Sequence, residues 1–135
     1  MDQFDNRRIL IADDDSGIRL LLLTLLRRSG FQILEACNGI EALERMRGGS
    51  ADLVILDLMM PEVSGWDVLA ARDGEPSLQK IPVIITTAGS RDSVIARAAG
   101  KRVSAVVAKP FDLDTLMEAV RMALESPTVV APAAA

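Results

Sequence analysis

The sequence predicts an α/β fold in which a parallel sheet carries helices on both faces. Five short runs of apolar residues alternate with segments whose apolar residues recur at helical spacing. This alternation is typical of consecutive βα units, which build parallel sheets. The apolar runs are nearly continuous, which indicates strands that are covered on both sides.

The strands are predicted where apolar runs end at polar residues or at helix-entry signals. The third run, residues 53–56, leads straight into Asp57, and Pro61 cannot continue a ladder of strand hydrogen bonds. The second run is the weakest of the set. In chain order, the five predicted strands span residues 8–12, 32–36, 53–57, 82–87 and 104–108.

The helices are predicted between these strands from their caps and apolar faces. Ser16 is a suitable N-cap for the first helix, whose predicted inward face includes Ile18, Leu21, Leu22 and Leu25. In chain order, the predicted helices span residues 17–28, 40–46 and 66–72, followed by one that starts at Ser90 or Asp92 and one that starts at Asp112 or Asp114.

Length and composition indicate one domain. The chain has 135 residues, of which 50% are hydrophobic and 25% are charged, so it can bury a core and is not disordered over most of its length. We expect a single domain over residues 1–125 and a flexible tail rich in Pro, Ala and Val over residues 126–135.

Charge and residue usage exclude several classes of function. The net charge of −4 provides no basic surplus for direct nucleic-acid binding. No apolar stretch approaches the length of a membrane span and no signal-peptide core begins the chain, so we expect a cytoplasmic protein without membrane insertion. Histidine is absent, which excludes His–metal sites, Ser-His-Asp triads and a phosphohistidine. Cys37 is the only cysteine and is expected to be a small buried apolar residue.

Polar side chains follow several of the predicted strands where each strand ends. Asp13 and Asp14 follow the first strand, Asp57 ends the third, Thr87 ends the fourth and Lys109 follows the fifth. The carboxyl ends of parallel strands share one edge of a sheet, so these side chains can converge. Carboxylates that lie close together raise one another's pKa, and a hard divalent cation such as Mg²⁺ relieves the repulsion.

This constellation predicts a site for phosphoryl transfer. Asp57 is the candidate nucleophile, which accepts the phosphoryl group as an acyl phosphate. Mg²⁺ and Lys109 neutralise charge on the phosphoryl oxygens, and the Thr87 hydroxyl can donate a hydrogen bond to the group. The added charge would trigger a local rearrangement, and the protein would act as a switch.

The same residues resemble the motifs of response-regulator receiver domains of two-component signalling, in particular chemotaxis-regulator-like receivers with a single domain. The resemblance covers about residues 7–125. It implies a flavodoxin-like, doubly wound (βα)5 fold with strand order 2-1-3-4-5. The matching motifs are Ile11-Ala12-Asp13-Asp14-Asp15 with Arg19, Asp57-Leu58-Met59-Met60-Pro61 with Gly65, Thr87-Ala88, and Lys109-Pro110-Phe111.

The resemblance also implies a set of partners and a metal site. Asp57 would be phosphorylated by a histidine kinase or a histidine phosphotransfer protein. Mg²⁺ would be held directly by Asp14, Asp57 and the Met59 backbone carbonyl, and through water by Asp13. The phosphorylated domain, a monomer or weak dimer, would bind a downstream protein through the surface around its fourth and fifth helices. It would be a signalling domain rather than an enzyme.

One departure from the family pattern and the residues at two variable positions bear on the switch. Val106 occupies the place of an aromatic residue that moves inward in relatives when the hydroxyl engages the phosphoryl group. Met59 and Gly89 flank the site, and neither side chain can position a hydrolytic water, so slow self-dephosphorylation is expected.

Two alternative functions stay open at this point. Val106 gives some support to a receiver-like scaffold that no longer responds to phosphorylation. An aspartate-nucleophile phosphatase is the less favoured alternative, because such enzymes carry an Asp-x-Asp signature where Asp57 is here followed by Leu58 and Met59.

Overall fold

Strands and helices alternate strictly along the chain in the computed structural model, which describes residues 6–125. The predicted tail, residues 126–135, lies outside the described residues. The strands are β1 (Arg8–Ala12), β2 (Gln32–Ala36), β3 (Leu53–Asp57), β4 (Val83–Thr87) and β5 (Ala105–Ala108). The helices are α1 (Ser16–Arg28), α2 (Gly39–Arg47), α3 (Gly65–Asp73), α4 (Arg91–Ala98) and α5 (Leu113–Glu125).

The strands form one parallel sheet in the order β2-β1-β3-β4-β5, which confirms the predicted flavodoxin-like topology. Ala12 at the end of β1 is in register with Leu56 of β3, and Asp57 is in register with Thr86 of β4. The carboxyl ends of the three central strands are therefore level at one edge of the sheet.

Each face of the sheet has its own hydrophobic core. The first core packs the sheet against α2, α3 and α4, and the second packs it against α1 and α5. Because side chains alternate across a strand, neighbouring residues such as Val54 and Ile55 of β3 enter different cores. This two-sided burial explains why the strands are continuous apolar runs.

The start of α1 differs from the prediction by one residue. The N-cap is Asp15, whose carboxylate accepts hydrogen bonds from the Gly17 and Ile18 N–H groups, and Ser16 is the first helical residue. Ser90 caps α4 and accepts a hydrogen bond from Ser93 N–H, so the first of the two predicted start sites is the observed one.

The inward face of α1 is also rotated relative to the prediction. Leu22 and Leu26 are fully buried, whereas the exposed fraction of Leu21 is 47%. A helix that packs on a sheet through residues four apart buries one narrow stripe, and Leu21 lies beside it.

Two single residues can be compared with their predictions. Cys37 is partly exposed rather than buried, so that prediction is wrong: it lies just past the end of β2, in the turn that leads into α2. Trp66 is half-buried and packs against the first core. Among the described residues, no helix is both long enough and apolar enough to span a membrane.

Candidate functional site

Three carboxylates meet at the carboxyl edge of the sheet. Asp13 lies directly after β1 and Asp57 is the last residue of β3, and both are almost fully buried, whereas Asp14 is exposed. Each of the three has an oxygen within 4.8 Å of an oxygen of the others. Hard oxygen ligands at this spacing suit Mg²⁺, which keeps further positions for water and phosphate oxygens. The chemistry of this donor set therefore fits the predicted metal.

Lys109 reaches the acidic cluster from the loop after β5. Its Nζ donates a hydrogen bond to Asp13 Oδ2 at 2.8 Å and lies 3.4 Å from Asp57 Oδ1. Burial lowers the pKa of Lys109, but the hydrogen bond and charge of Asp13 and the charge of Asp57 outweigh this, so the net shift is upward. The Lys109 ammonium group thus lies between two carboxylates that approach it from different strands, and they stabilise its charged form.

The environment of Asp57 favours its neutral form when no cation other than Lys109 is present. Burial is the largest cause, and the Asp13 charge acts in the same direction. The Met59 N–H, which donates to Asp57 Oδ1 at 3.2 Å, and the Lys109 charge oppose them. The result is that the pKa of Asp57 is raised from 3.8 to about 6. A bound divalent cation would favour the carboxylate instead.

The loop between β3 and α3 is held against its neighbours without space for additional atoms. A Cβ at Gly65 would lie 2.7 Å from the Asp57 carbonyl oxygen, and one at Gly39 of α2 would lie 2.3 Å from the Val63 carbonyl oxygen. In the same loop, Glu62 has a φ of 68°, which lies in the left-handed region that non-glycine residues rarely adopt. The backbone that follows Asp57 thus makes close contacts with two glycines, Gly65 of α3 and Gly39 of α2.

Thr87 is the last residue of β4 and is buried. Its hydroxyl accepts a hydrogen bond of 3.0 Å from Gly89 N–H, so it is engaged with its own loop. On the neighbouring strand, Val106 of β5 is in register with Ile85 rather than with Thr87, and it is buried in the first core. The Val106 carbonyl accepts a hydrogen bond of 2.9 Å from Arg91 Nε, which links the start of α4 directly to β5.

Arg19, which belongs to the motif after β1 but had no predicted role, supports the site through the backbone of Asp13. Its Nη1 donates to the Asp13 carbonyl oxygen at 2.8 Å, and its Nε contacts Glu35 at 3.3 Å. The Asp13 carboxylate is held separately by Asp15 N–H at 2.9 Å. The available signal was the position of Arg19 in the first turn of α1, from which a long side chain can reach back to the end of β1.

Comparison with known proteins places this geometry in a family. The family model of the response regulator receiver domain matches residues 9–121. Sporulation initiation phosphotransferase F of Bacillus subtilis is 35% identical over 116 residues, which are 86% of this chain and 92% of that protein. Chemotaxis protein CheY-3 of Vibrio cholerae is 37% identical over 114 residues, which are 84% of this chain and 88% of that protein.

A solved structure agrees with the sequence relatives. Response regulator protein TrrA of Thermotoga maritima, in complex with Mg²⁺ and BeF, has a TM-score of 0.73 and 37% identity, and the match covers 85% of this chain and 96% of that one. Three other relatives are longer than this chain, and the matched part of the chain covers 17%, 57% and 50% of their respective lengths.

The chain belongs to the response regulator receiver domain family. Receiver domains are signalling domains of two-component systems, and the acidic cluster described above is one that could hold a metal ion such as Mg²⁺.

Proposed function

We propose that Asp57 accepts a phosphoryl group from a histidine kinase or a histidine phosphotransfer protein, and that the resulting charge changes the affinity of the domain for a downstream protein. The convergence of Asp57 with Asp13 and Lys109 at one edge of the sheet carries this proposal. A buried carboxylate is unfavourable unless a cation compensates its charge. Cations that compensate Asp13 and Asp57 can also hold an anionic phosphoryl group at the same place.

The side chains of the site have distinct roles in this proposal. Asp13, Asp14, Asp57 and the Met59 carbonyl would hold Mg²⁺, and the solved relative TrrA, which contains Mg²⁺, supports this choice of metal. When bound, the ion supplies positive charge to the phosphoryl oxygens.

The phosphoryl transfer is Mg²⁺-dependent in this proposal, and the bonds that change are those of Asp57 and the donor. An Asp57 oxygen attacks the phosphorus of the donor, the bond to the donor breaks, and an acyl phosphate forms on Asp57. Lys109 Nζ, which lies 3.4 Å from Asp57 Oδ1, neutralises part of the added negative charge. The Thr87 hydroxyl would leave its contact with Gly89 and donate to a phosphoryl oxygen.

The experiment is incubation of the chain with acetyl phosphate and Mg²⁺, read by intact-mass spectrometry. We expect a mass gain of one phosphoryl group in the natural chain and none in Asp57→Asn. Glu44→Gln, which neutralises an exposed carboxylate on α2, is the control and is expected to be phosphorylated like the natural chain.

Other outcomes would support different functions. Absence of any mass gain, together with a normally folded chain, would favour a scaffold without phosphorylation. Sustained release of phosphate from many small esters would favour a phosphatase. A gain that persists in Asp57→Asn would show that another residue is the acceptor.

A further inference from the structure

A second polar site lies at the opposite edge of the sheet, where the strands begin. A cavity of about 190 Å³ opens between the end of α3 and the loop that joins α4 to β5. The residues that line it are Asp73, Gln79, Gly100, Lys101 and Arg102. None of these residues contributes to the Asp57 site.

The lining residue Asp73 accepts hydrogen bonds from a buried cation, Arg72, which is not itself part of the lining. The side chain of Arg72, the penultimate residue of α3, has an exposed fraction of 0%. Its Nε and Nη2 donate to Asp73 Oδ1 at 3.3 and 3.1 Å, and its Nη1 donates to the Ile81 carbonyl oxygen at 3.3 Å. These three bonds are long for a charge-assisted interaction, and they use only part of the five N–H donors of a guanidinium.

Positive charge exceeds negative charge around the cavity. The lining residues Lys101 and Arg102 carry two positive charges and Asp73 carries one negative charge. Arg72, which is paired with Asp73 behind the lining residues in the ion-pair network, adds a third positive charge and brings the local balance to +2. The pKa of Arg72 is lowered, mainly by burial, and repulsion from Arg102 contributes to the shift. A buried charge normally has full compensation from its partners, and here the carboxylate that supplies it is itself 39% exposed.

Helix-dipole complementarity explains only part of this cluster. Lys101 and Arg102 follow the C-terminus of α4, where cations interact favourably with the helix dipole. Arg72 lies in the last turn of α3 and has the same relation to the dipole of that helix. A helix dipole is equivalent to only about half a unit charge at each end, so the two dipoles do not balance three neighbouring cations. A dianionic group in the cavity would balance the charge of all three cations together with Asp73.

We propose that this cavity binds a phosphate group, either as free inorganic phosphate or as the phosphate of a nucleotide. The charge of a phosphate dianion matches the local excess of +2, and guanidinium and ammonium donors are the groups that proteins use to hold phosphate oxygens. The cavity is open to solvent and has room for one such group, with any attached nucleoside outside it.

The test is a titration of ¹⁵N-labelled full chain with inorganic phosphate, observed by NMR at constant ionic strength. EDTA is present, so that the acidic cluster at the other edge of the sheet holds no metal. We expect saturable shifts of the amide signals of Gly100, Lys101 and Arg102. The double variant Lys101→Gln/Arg102→Gln is expected to bind at least about tenfold more weakly, as the loss of charge-assisted contacts predicts.

The matched control is Arg27→Gln/Arg28→Gln, which removes two cations from the C-terminal end of another helix, α1, where both are exposed. We expect its phosphate affinity to equal that of the natural chain. An equal loss in both double variants, shifts that rise linearly without saturation, or unchanged binding in Lys101→Gln/Arg102→Gln would each overturn the proposal.

A parallel titration with adenosine monophosphate separates the two sources of phosphate. Tighter binding of the nucleotide indicates a nucleotide ligand, and equal binding indicates that the phosphate group alone is recognised. Asp57→Asn should leave both affinities unchanged, so this site can fail or succeed independently of phosphorylation.

Discussion

At the scale of single residues, Asp57 couples the stability of the fold to pH. Its pKa is raised from 3.8 to about 6, mainly by burial, so between these values the folded chain keeps a proton that the unfolded chain has released. The folded state then binds more protons than the unfolded state, and the free energy of unfolding falls as the pH rises. The stability that the protonated Asp57 contributes is fully present below the pKa of the unfolded chain and is lost as the pH rises above the pKa of the folded chain.

We therefore expect Asp57→Asn to stabilise the metal-free protein at neutral pH, by about 1–3 kcal/mol. Asparagine has nearly the same shape and carries no charge to bury. Urea denaturation in EDTA at several pH values checks this. The difference in free energy of unfolding between variant and natural chain should grow from about pH 4 to pH 7. A difference that does not depend on pH would show that desolvation of the carboxylate is not its cause.

Glu62 is a second residue whose local conformation is unfavourable. Its backbone φ of 68° lies in the left-handed region, where any residue that carries a Cβ has a steric penalty and glycine has none. We expect Glu62→Gly to raise the free energy of unfolding by up to about 1 kcal/mol. Chemical denaturation measures this. Glu44→Gly in the middle of α2 is the matched control, and there the same change should destabilise by roughly 1 kcal/mol.

Asp57, Glu62 and Arg72 illustrate what single-residue chemistry in the sequence can and cannot predict. Asp57 was identified because a carboxylate at the end of a buried apolar run is costly without a partner. Glu62 and Arg72 could not be identified, because the left-handed φ of the first and the burial of the second depend on tertiary packing. Glutamate does not favour positive φ and arginine is seldom fully buried.

At the scale of elements, the contact between α2 and the loop after β3 depends on a glycine. A Cβ at Gly39 would lie 2.3 Å from the Val63 carbonyl oxygen, so Gly39→Ala must displace either α2 or the loop. We expect it to destabilise the fold by roughly 1–3 kcal/mol through overpacking and to weaken Mg²⁺ binding, because the same loop carries Met59.

Gly74→Ala is the control for this prediction. Gly74 follows α3 with a φ of −88°, and a Cβ there would come no closer than 3.7 Å to its neighbours. Alanine at this position should be neutral or stabilise slightly, since it restricts only the unfolded chain. Thermal unfolding distinguishes the two variants. A similar decrease in melting temperature in both would contradict the steric explanation.

The helices were predicted well in position and less well at their ends and faces. Two neighbouring residues, Asp15 and Ser16, are both good N-caps by residue type, and only the backbone path out of β1 decides between them. The capping box that Ser64 and Asp67 form at the start of α3 is readable from their three-residue spacing. The choice of Leu26 over Leu21 for burial depends on the angle at which α1 lies on the sheet.

At the scale of the whole molecule, the site exists because four strands, β1, β3, β4 and β5, end at one edge of the sheet. Asp13 and Lys109 are 96 positions apart in the chain and are joined by a hydrogen bond of 2.8 Å. The sequence could predict this meeting, since parallel strands place their carboxyl ends together. It could not predict which oxygen Lys109 contacts or that Thr87 is engaged with Gly89, because these details depend on loop geometry.

The clustering of three carboxylates predicts that Mg²⁺ stabilises the entire domain. An ion that binds only the folded state adds about 1.4 kcal/mol when its concentration is roughly ten times its dissociation constant. We expect the melting temperature to rise with MgCl₂ but not with NaCl of equal ionic strength. Asp14→Asn should abolish the rise, whereas Asp92→Asn, at an exposed site in the first turn of α4, should retain it. A rise of the same size in Asp14→Asn would argue against a metal at this cluster.

The half-buried indole of Trp66 has a consequence for spectroscopy. The chain contains one tryptophan and no tyrosine, so its intrinsic ultraviolet emission comes essentially from this ring. Trp66 belongs to α3, and the Arg97 guanidinium of α4 lies over it at 4.2 Å from the ring centre. Emission intensity therefore reports on one contact between two neighbouring helices. A shift of α4 relative to α3 would be visible in the unlabelled protein as a change in fluorescence.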